Sequence, residues 1–300
     1  MTGPHGAAPS RGIQPEVRDI AGTLAREANA LAVLFYGSNL RTGSLEGVLD
    51  FYVLTGGARE KGIWPRVSYR EFDQADGTRL RAKIATMNMA TFAHAASGTS
   101  RDTTIWSRFV QPCAAIWTRD DAAARKLEAA LDDAAQTAAL LAAALGPPSA
   151  PERAYWKGLF RATYKAELRV EAPGREAQIL DVNASHFDGL LAPALERAGV
   201  PVSQEGDMLH VTMAEKRRAE VLAWWKKRQR LGKPINLLRL AKATTTFEGA
   251  ARYGAWKLER HSGIALEMTP FRERHPILAA PGAALEYWRK KRTRAASEDA

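Results

Sequence analysis

The stretch that most constrains this sequence is a pair of apolar runs separated by a short polar loop. The first run, residues 32–36, ends at Gly37-Ser38, and the second, residues 48–54, carries the acid Asp50 near its start. The second run predicts a buried β-strand because it is rich in β-branched and aromatic residues. The first favours a buried strand, or a helix end that breaks at Gly37. An ionised carboxylate in a buried strand costs several kcal/mol unless a cation or donors compensate it, so Asp50 predicts a bound partner.

A divalent cation is the partner that suits this carboxylate. Magnesium prefers hard oxygen ligands and bridges a carboxylate to the phosphates of a nucleotide. Gly37 has no side chain, so backbone N–H groups of the Gly37-Ser38 turn can approach an anion closely. The pattern predicts a minimal site for nucleotidyl transfer, with Gly37 and Ser38 at the phosphates and Asp50 at Mg²⁺. The alternative interpretation is a buried strand whose aspartate caps a helix.

The same pattern has a family resemblance. Apolar-Gly-Ser, a loop of about ten residues and apolar-Asp-apolar on a strand resemble the polymerase-β-type nucleotidyltransferase superfamily. Many members carry a second acid two residues after the first, and that position is Tyr52 here. The departure points to a subgroup of the superfamily.

Four further pieces resemble one such subgroup, the translocator assembly and maintenance family of mitochondrial CTP:phosphatidate cytidylyltransferases and their bacterial relatives. The five pieces keep the family's order and span roughly residues 30–257. The family's Trp-His, Asn and His-Tyr-Ser segment after the strand acid has no counterpart here. The four pieces are a lysine-bearing strand at 81–87 with Lys83, a segment at 105–112 with Arg108, Gln111 and Pro112, a stretch at 158–169 with Tyr164, Glu167 and Arg169, and a basic helix at 236–253.

The resemblance implies a reaction and roles for these residues. A phosphatidate phosphate oxygen would attack the α-phosphorus of CTP, giving CDP-diacylglycerol and pyrophosphate. Lys83 and Arg108 would neutralise phosphate oxygens, and Glu167 would supply a second carboxylate to the metal. Tyr164 and Arg169 would contact the nucleotide. Alternatives remain from the residues themselves: Lys83 as a solvent-facing strand residue, Glu167 as a surface acid paired with Arg169 or Lys165, and Tyr164 as a packing residue.

The predicted fold class is α/β (α+β) in three parts. A nucleotidyltransferase domain with a mixed sheet is expected over 13–146, and a proline cluster at 147–151 marks its end. A smaller, mainly helical, winged-helix-like domain follows over 147–232, and a basic amphipathic region over 233–300. Within these parts we expect a helix at 15–30, a hairpin at 66–87, a helix at 89–96, an extended piece at 105–117, a long helix after Asp120, a helix at 152–163, a hairpin at 164–182, and helices at 187–198, 213–230 and 235–260.

The charge pattern predicts an anionic partner. The formal net charge is +10, and most of the basic residues crowd the C-terminal third. Trp288 followed by Arg289-Lys290-Lys291-Arg292 favours anchoring at an anionic membrane surface, although such a tail also suits nucleic acid. For Trp224 and Trp225 we favour packing in the core. Nucleic acid is not the expected partner.

Other classes of protein are disfavoured. A single cysteine, Cys113, excludes an intramolecular disulfide and fits a reducing compartment. The six histidines lack zinc-ligand spacing, and Asp73 and Asp102 are expected in turns. No window holds about eighteen uninterrupted apolar residues, and residues 1–12 do not form a secretory signal. We expect a cytoplasmic protein, peripheral at the inner face of the cell membrane.

The sequence thus predicts a magnesium-dependent phosphatidate cytidylyltransferase. A rival interpretation is a nucleotidyltransferase with another acceptor, such as RNA, a protein or a small molecule. A non-enzymatic interpretation is a basic RNA-binding module on a degenerate transferase fold, which Tyr52 at the usual second-acid position makes credible. The nucleotide base, the acyl preference and the oligomeric state are left open by the sequence.

Overall fold

The apolar runs of the N-terminal half form a mixed, five-stranded sheet in the computed structural model. The structure describes residues 12–62, 64–166, 175–246, 249–274 and 276–298. The strands are β1 (Ala30–Tyr36), β2 (Leu49–Thr55), β3 (Arg66–Asp73), β4 (Arg79–Asn88) and β5 (Cys113–Thr118). Their order is β3-β4-β2-β1-β5, with β2 and β4 parallel and the other neighbours antiparallel. The strand around Asp50 and the 66–87 hairpin are confirmed.

Helices cover both faces of this sheet, which explains why β1 and most of β2 are apolar on both faces. Helix α1 (Pro15–Glu27) packs on the face that carries Phe35 and Phe51. The opposite face, with Leu34 and Tyr52, is covered by α3 (Met89–Ala96), α4 (Thr104–Phe109) and α5 (Asp121–Leu145). A short helix, α2 (Ser38–Thr42), follows β1. Asp120 caps α5 as predicted, because its Oδ1 accepts a hydrogen bond of 2.7 Å from the Ala123 N–H.

Residues 105–117 are not one extended piece, as the sequence had suggested. Residues 104–109 form α4, and only 113–118 form a strand. Ile105, Trp106 and Phe109 are buried at helical spacing on the sheet. The short aromatic run was ambiguous between strand and helix, and packing against the Tyr52 face selects the helix. This places Arg108 at the end of a helix rather than on a strand.

A smaller, three-stranded antiparallel sheet follows the proline cluster. It contains β6 (Ser149–Pro151), β7 (Val202–Glu205) and β8 (Met208–Val211) in the order β6-β8-β7. Between β6 and β7, the described residues form four helices. They are α6 (Glu152–Ala166), α7 (Arg175–Val182), α8 (Ala184–Phe187) and α9 (Leu191–Arg197). One buried cluster includes both Tyr52 on β2 and Leu195 on α9.

The predicted hairpin at 164–182 is wrong where the structure describes it. Residues 164–166 continue α6, and residues 175–182 form α7. In α6 the buried positions Leu159, Phe160, Thr163 and Ala166 keep a helical period to its end. The alternating stretch that suggested a strand, residues 167–171, lies outside the described residues.

The basic C-terminal third is helical. Its helices are α10 (Glu215–Thr246), α11 (Ala250–Ser262), α12 (Pro270–Arg274) and α13 (Pro276–Glu298). Helix α10 crosses position 232, where the sequence suggested a boundary, and contains Pro234. Trp224 and Trp225 pack against Trp106 in the core, as predicted, at ring-centroid distances of 6.0 and 6.2 Å. Among the described helices, none combines the length and apolar content needed to cross a bilayer.

Arginines of α10 bind the ends of other helices. Arg217 donates to the carbonyl oxygens of residues 198 and 199, after α9. Arg218 donates to the carbonyl oxygen of Gly146, after α5, at 2.8 Å. Arg228 donates to carbonyl oxygens of residues 98–100, after α3. Carbonyl groups at and just beyond the C-terminus of a helix need partners from outside it, so these guanidinium groups hold the segments in which three helices end.

Candidate nucleotidyl-transfer site

Asp50 lies at the edge of the sheet where β1 ends and β2 begins. Its register partners are Tyr36 on β1 and Lys83 on β4. Neighbouring residues in register project to the same face of a sheet, so Lys83 and Tyr36 flank the Asp50 carboxylate. Lys83 is half-buried rather than solvent-facing. The parallel pairing of β2 with β4 therefore brings the predicted acid and the predicted lysine together.

The Gly37 turn lies directly against this carboxylate. Gly37 has a φ of +91°, and a β-carbon built there would lie 2.8 Å from Oδ2 of Asp50. Any side chain would thus collide with the acid, and the backbone conformation itself favours glycine. Exposed Ser38 begins α2, and buried Asn39 holds the following loop by donating 2.7 Å hydrogen bonds to the carbonyl oxygens of Ser44 and Glu46.

Arg108 reaches the site from α4. Its guanidinium lies over the Tyr36 ring, 5.5 Å from the ring centroid. The helix is fixed from behind by Asp102, whose carboxylate accepts hydrogen bonds from the Thr104 N–H at 2.8 Å and from Arg239. Asp102 is therefore a buried ion-pair residue as well as a turn residue, contrary to the simple turn that the sequence suggested. The pair connects α10 to the helix that carries Arg108.

Two cationic side chains lie close to the Asp50 carboxylate. Burial raises the pKa of Asp50, while the nearby charges of Lys83 and Arg108 act in the opposite direction. Within the described part of the chain, no hydrogen bond or ion pair engages the Asp50 carboxylate. The site thus places two cationic side chains close to one carboxylate.

Tyr52 lies two residues after Asp50, where the resemblance led us to look for a second acid. It is fully buried, and its ring meets that of Phe109 edge-on with centroids 5.0 Å apart. Burial raises the pKa of its hydroxyl, and the charges of Arg108 and Arg239 act against this rise. Tyr52 thus forms an aromatic floor beneath the site and supplies no metal ligand of the carboxylate type.

The remaining predicted residues belong to the last turn of α6 and to the stretch that follows it. Tyr164 lies near the end of α6, half-buried, with its ring stacked on Phe160 at a centroid distance of 6.4 Å. Glu167 and Arg169 lie outside the described residues. The structure thus brings together Gly37, Asp50, Lys83 and Arg108, whereas the second carboxylate and the nucleotide contacts at 164–169 stay predictions.

Helix α11 forms a wall of the site that the sequence did not reveal. Trp256 lies between Arg81 and Arg260, whose guanidinium groups are 5.5 and 5.4 Å from its ring. Arg260 is exposed and reaches Gly47, at the entrance to β2, with Nη1 3.1 Å from the position of a β-carbon there. A cation oriented on an aromatic ring is well placed to bind an anion. Local pattern gives no signal for this contact between distant segments.

The described residues fit Mg²⁺ only if water and phosphate oxygens supply most of its ligands. No group of three or more His, Cys, Asp or Glu that could hold a metal occurs among them. A single hard carboxylate such as Asp50 does suit Mg²⁺ that retains water and is also bound by phosphate oxygens. The arrangement therefore favours a metal that arrives with a nucleotide over one bound permanently.

Comparisons with known proteins identify no family for this chain. No protein-family model matches it, and no curated protein matches it significantly.

Proposed function

We propose that this protein is a magnesium-dependent nucleotidyltransferase that uses CTP. The observation that carries the proposal is the convergence of Gly37, Asp50, Lys83 and Arg108, which come from a turn, two neighbouring strands and a helix. Their chemistry suits a triphosphate: a tight backbone turn, one carboxylate and two cations. The nucleotidyltransferase assignment of the five-stranded sheet is part of this proposal.

The chain's own groups would act by positioning and by charge neutralisation. The Gly37-Ser38 turn would bind the β- and γ-phosphates, and Lys83 and Arg108 would neutralise oxygens on the α-phosphate and on the acceptor. Bound at Asp50, Mg²⁺ would offset the charge of the triphosphate. An acceptor phosphate is already anionic near neutral pH, so its oxygen needs no strong base. A new P–O bond would form at the α-phosphorus as the bond to the bridging oxygen breaks and pyrophosphate leaves.

We propose phosphatidate as the acceptor and CDP-diacylglycerol as the product. The family resemblance of five ordered segments supports this choice. Exposed apolar residues on the C-terminal helices also support it, since Phe271, Leu278, Leu285 and Trp288 are all more than half exposed. Such residues beside a basic run favour an anionic bilayer surface, which is the proposed location, peripheral at the inner face of the cell membrane.

Nucleic acid is a weaker candidate for the anionic partner. The interpretation drew on the basic residues of the C-terminal third, including its tail, but in α10 Arg217, Arg218, Arg228 and Arg239 make internal hydrogen bonds. Their charge therefore contributes to holding the fold as well as to the surface potential. We also propose that β6, the following helices and the β7–β8 hairpin form a winged-helix-like unit, with a structural role in this protein.

The test is transfer of radiolabelled cytidylate to lipid. Purified full-length protein is incubated with labelled CTP, Mg²⁺ and phosphatidate in detergent, with EDTA and lipid-free reactions as controls. We expect equal amounts of pyrophosphate and lipid-extractable label, both abolished by EDTA. Pyrophosphate that forms equally well without phosphatidate would indicate another acceptor. No pyrophosphate under any condition, with any of the four ribonucleotides, would refute the enzymatic proposal.

A further inference from the structure

An apolar groove lies between α11 and α13, away from the Asp50 site. Its volume is about 400 Å³, within the range of small-molecule sites. Small side chains on two facing helices form its walls, so the space between the helices stays open. They include Ala251, Gly254 and Ala255 on α11 and Ala280, Ala283 and Ala284 on α13, and the larger Leu258 also lines the groove.

Helix α11 has two distinct faces. Tyr253, Trp256 and Arg260 lie toward the sheet, where Tyr253 contacts Tyr69 at a ring-centroid distance of 5.5 Å. Ala251, Ala255 and Leu258, at helical spacing on the other face, line the groove. One helix therefore separates the groove from the Asp50 cluster, and a ligand in the groove does not need to enter the catalytic site.

Cationic side chains lie at one end of the groove. Arg272 lines it and forms an ion pair of 2.6 Å with Glu286, which also accepts from Lys290 at 2.8 Å. Hydrogen bonds from Lys290 and Arg272 lower the pKa of Glu286 to about 2, so that it stays ionised. Two cationic side chains, Arg272 and Lys290, thus lie at this end and share the Glu286 carboxylate. Tyr287 and Trp288 line the groove beside them, and Lys290 belongs to the basic run of the tail that begins at Arg289.

We propose that this groove binds an acyl chain of an anionic glycerophospholipid, with the phosphate at the Arg272–Lys290 end. An apolar groove with one cationic end matches an amphiphile with one anionic head. The exposed side chains of Leu278, Leu285 and Trp288 would lie in the bilayer surface and bring the groove to its ligand. The inference rests on the proposed function for the choice of phosphatidate as the lipid.

The experiment is photolabelling with phosphatidate that carries a photoreactive acyl chain. The probe is mixed into phosphatidylcholine vesicles, the full-length protein is added without CTP or Mg²⁺, and labelled peptides are mapped by mass spectrometry. We expect label on the inner face of α11, at 251–258, as well as on 279–288. Label confined to the outer side of α13, or absent from both helices, would overturn the proposal, because simple surface docking does not reach the inner face of α11.

Two comparisons sharpen the result. Ala283→Phe fills the groove and should reduce labelling of 251–258 about tenfold, the change that loss of a buried apolar contact produces in a binding constant. Ala219→Phe, on an exposed position of α10, is the matched control and should label as wild type. Equal labelling of Ala283→Phe and Ala219→Phe would contradict binding in the groove. Unlabelled phosphatidate should compete better than phosphatidylcholine, and equal competition would contradict the cationic end.

Failure of this inference is separable from failure of the proposed function. Asp50→Asn should label like wild type, because labelling requires no turnover. Labelling in the groove without any cytidine transfer would leave the lipid site intact and refute the enzyme. Transfer to phosphatidate without labelling of α11 would support the enzyme and refute the lipid site in the groove.

Discussion

Asp50 and Asp102 are both covered by the fold of the N-terminal half, but their surroundings differ in kind. The Asp102 carboxylate accepts hydrogen bonds from Arg239, from the Thr104 N–H at 2.8 Å and from the Thr104 hydroxyl at 3.1 Å. Asp50 has cations nearby but no direct partner among the described residues, and burial raises its pKa. The protein itself supplies the hydrogen-bond donors for Asp102, whereas the carboxylate oxygens of Asp50 remain available to a ligand.

The comparison separates structural acids from candidate functional ones. A buried charge that serves only the fold comes with its counter-ion, since leaving it unpaired costs several kcal/mol. A group that binds a ligand stays unpaired, at that cost in free energy, until the ligand is bound. Asp102 follows the first pattern and Asp50 the second. The predictions below test whether this difference is functional, beginning with the largest expected effect.

Asp50→Asn should lower cytidylate transfer by about 10³-fold, because the amide cannot hold the metal that offsets the triphosphate charge. The assay is product formation at saturating CTP and Mg²⁺. Asp207→Asn, in the exposed β7–β8 turn, is the matched control and should retain full activity. Asp102→Asn, assayed at a temperature where it remains folded, should keep its rate within about tenfold. If Asp102→Asn is as inactive as Asp50→Asn, the distinction between the two acids is wrong.

Asp102→Asn should instead act on stability, lowering the free energy of unfolding by about 3 kcal/mol. Arg239 would remain buried without its carboxylate, and removing one member of a buried pair is strongly destabilising. Urea unfolding of wild type, of each single variant and of Asp102→Asn with Arg239→Met measures the coupling. In the double variant, adding Arg239→Met should lower the free energy of unfolding little beyond the loss that Asp102→Asn causes alone. A loss below about 0.5 kcal/mol in Asp102→Asn would show that the pair is not structural.

The comparison also shows what the sequence can reveal. Strand patterns predicted β2 and the β3–β4 hairpin, and these elements place Lys83 beside Asp50. No local pattern could pair Arg239 with Asp102, because they are 137 residues apart and both residue types are common at surfaces. The arginines of α10 suggested an external anion for the same reason, although several bind helix ends. Contacts set by tertiary packing, such as Arg260 at Gly47, were likewise invisible.

Gly37→Ala tests whether the Gly37 turn must lack a side chain to leave room for the Asp50 carboxylate. The new β-carbon would lie 2.8 Å from Oδ2 of Asp50, and the φ of +91° disfavours any side chain. We expect a loss of roughly 2 kcal/mol in the free energy of unfolding and at least a tenfold loss of transfer, as the acid is displaced. Gly77→Ala is the matched control, with a φ of +83° and no atom within 4 Å of its β-carbon position. Gly77→Ala should lose only the free energy of unfolding that the backbone strain costs, and its activity should be normal. Equal activity of the two variants would mean that the position of Asp50 is unimportant.

The smallest effect should be a gain in stability on removing the Asp50 charge. Burial raises the pKa of this carboxyl in the folded state. Between the unfolded and folded pKa values the native state holds a proton that the unfolded chain has lost, so the free energy of unfolding falls as pH rises. The contribution is complete below the unfolded pKa and lost above the folded pKa. At neutral pH, Asp50→Asn should therefore be more stable than wild type by about 1 kcal/mol in the absence of nucleotide.

The measurement is the difference in free energy of unfolding between Asp50→Asn and wild type across pH, which removes the contributions of other groups. The difference should vanish toward about pH 3, where both side chains are neutral. Adding Mg²⁺ with CTP at neutral pH should stabilise wild type more than Asp50→Asn, because only the carboxylate binds the metal. Asp102→Asn should lose stability at the same pH at which Asp50→Asn gains it. If both substitutions destabilise the protein at neutral pH, Asp50 is a structural acid like Asp102. The lack of a direct partner for Asp50 among the described residues would then have no functional meaning.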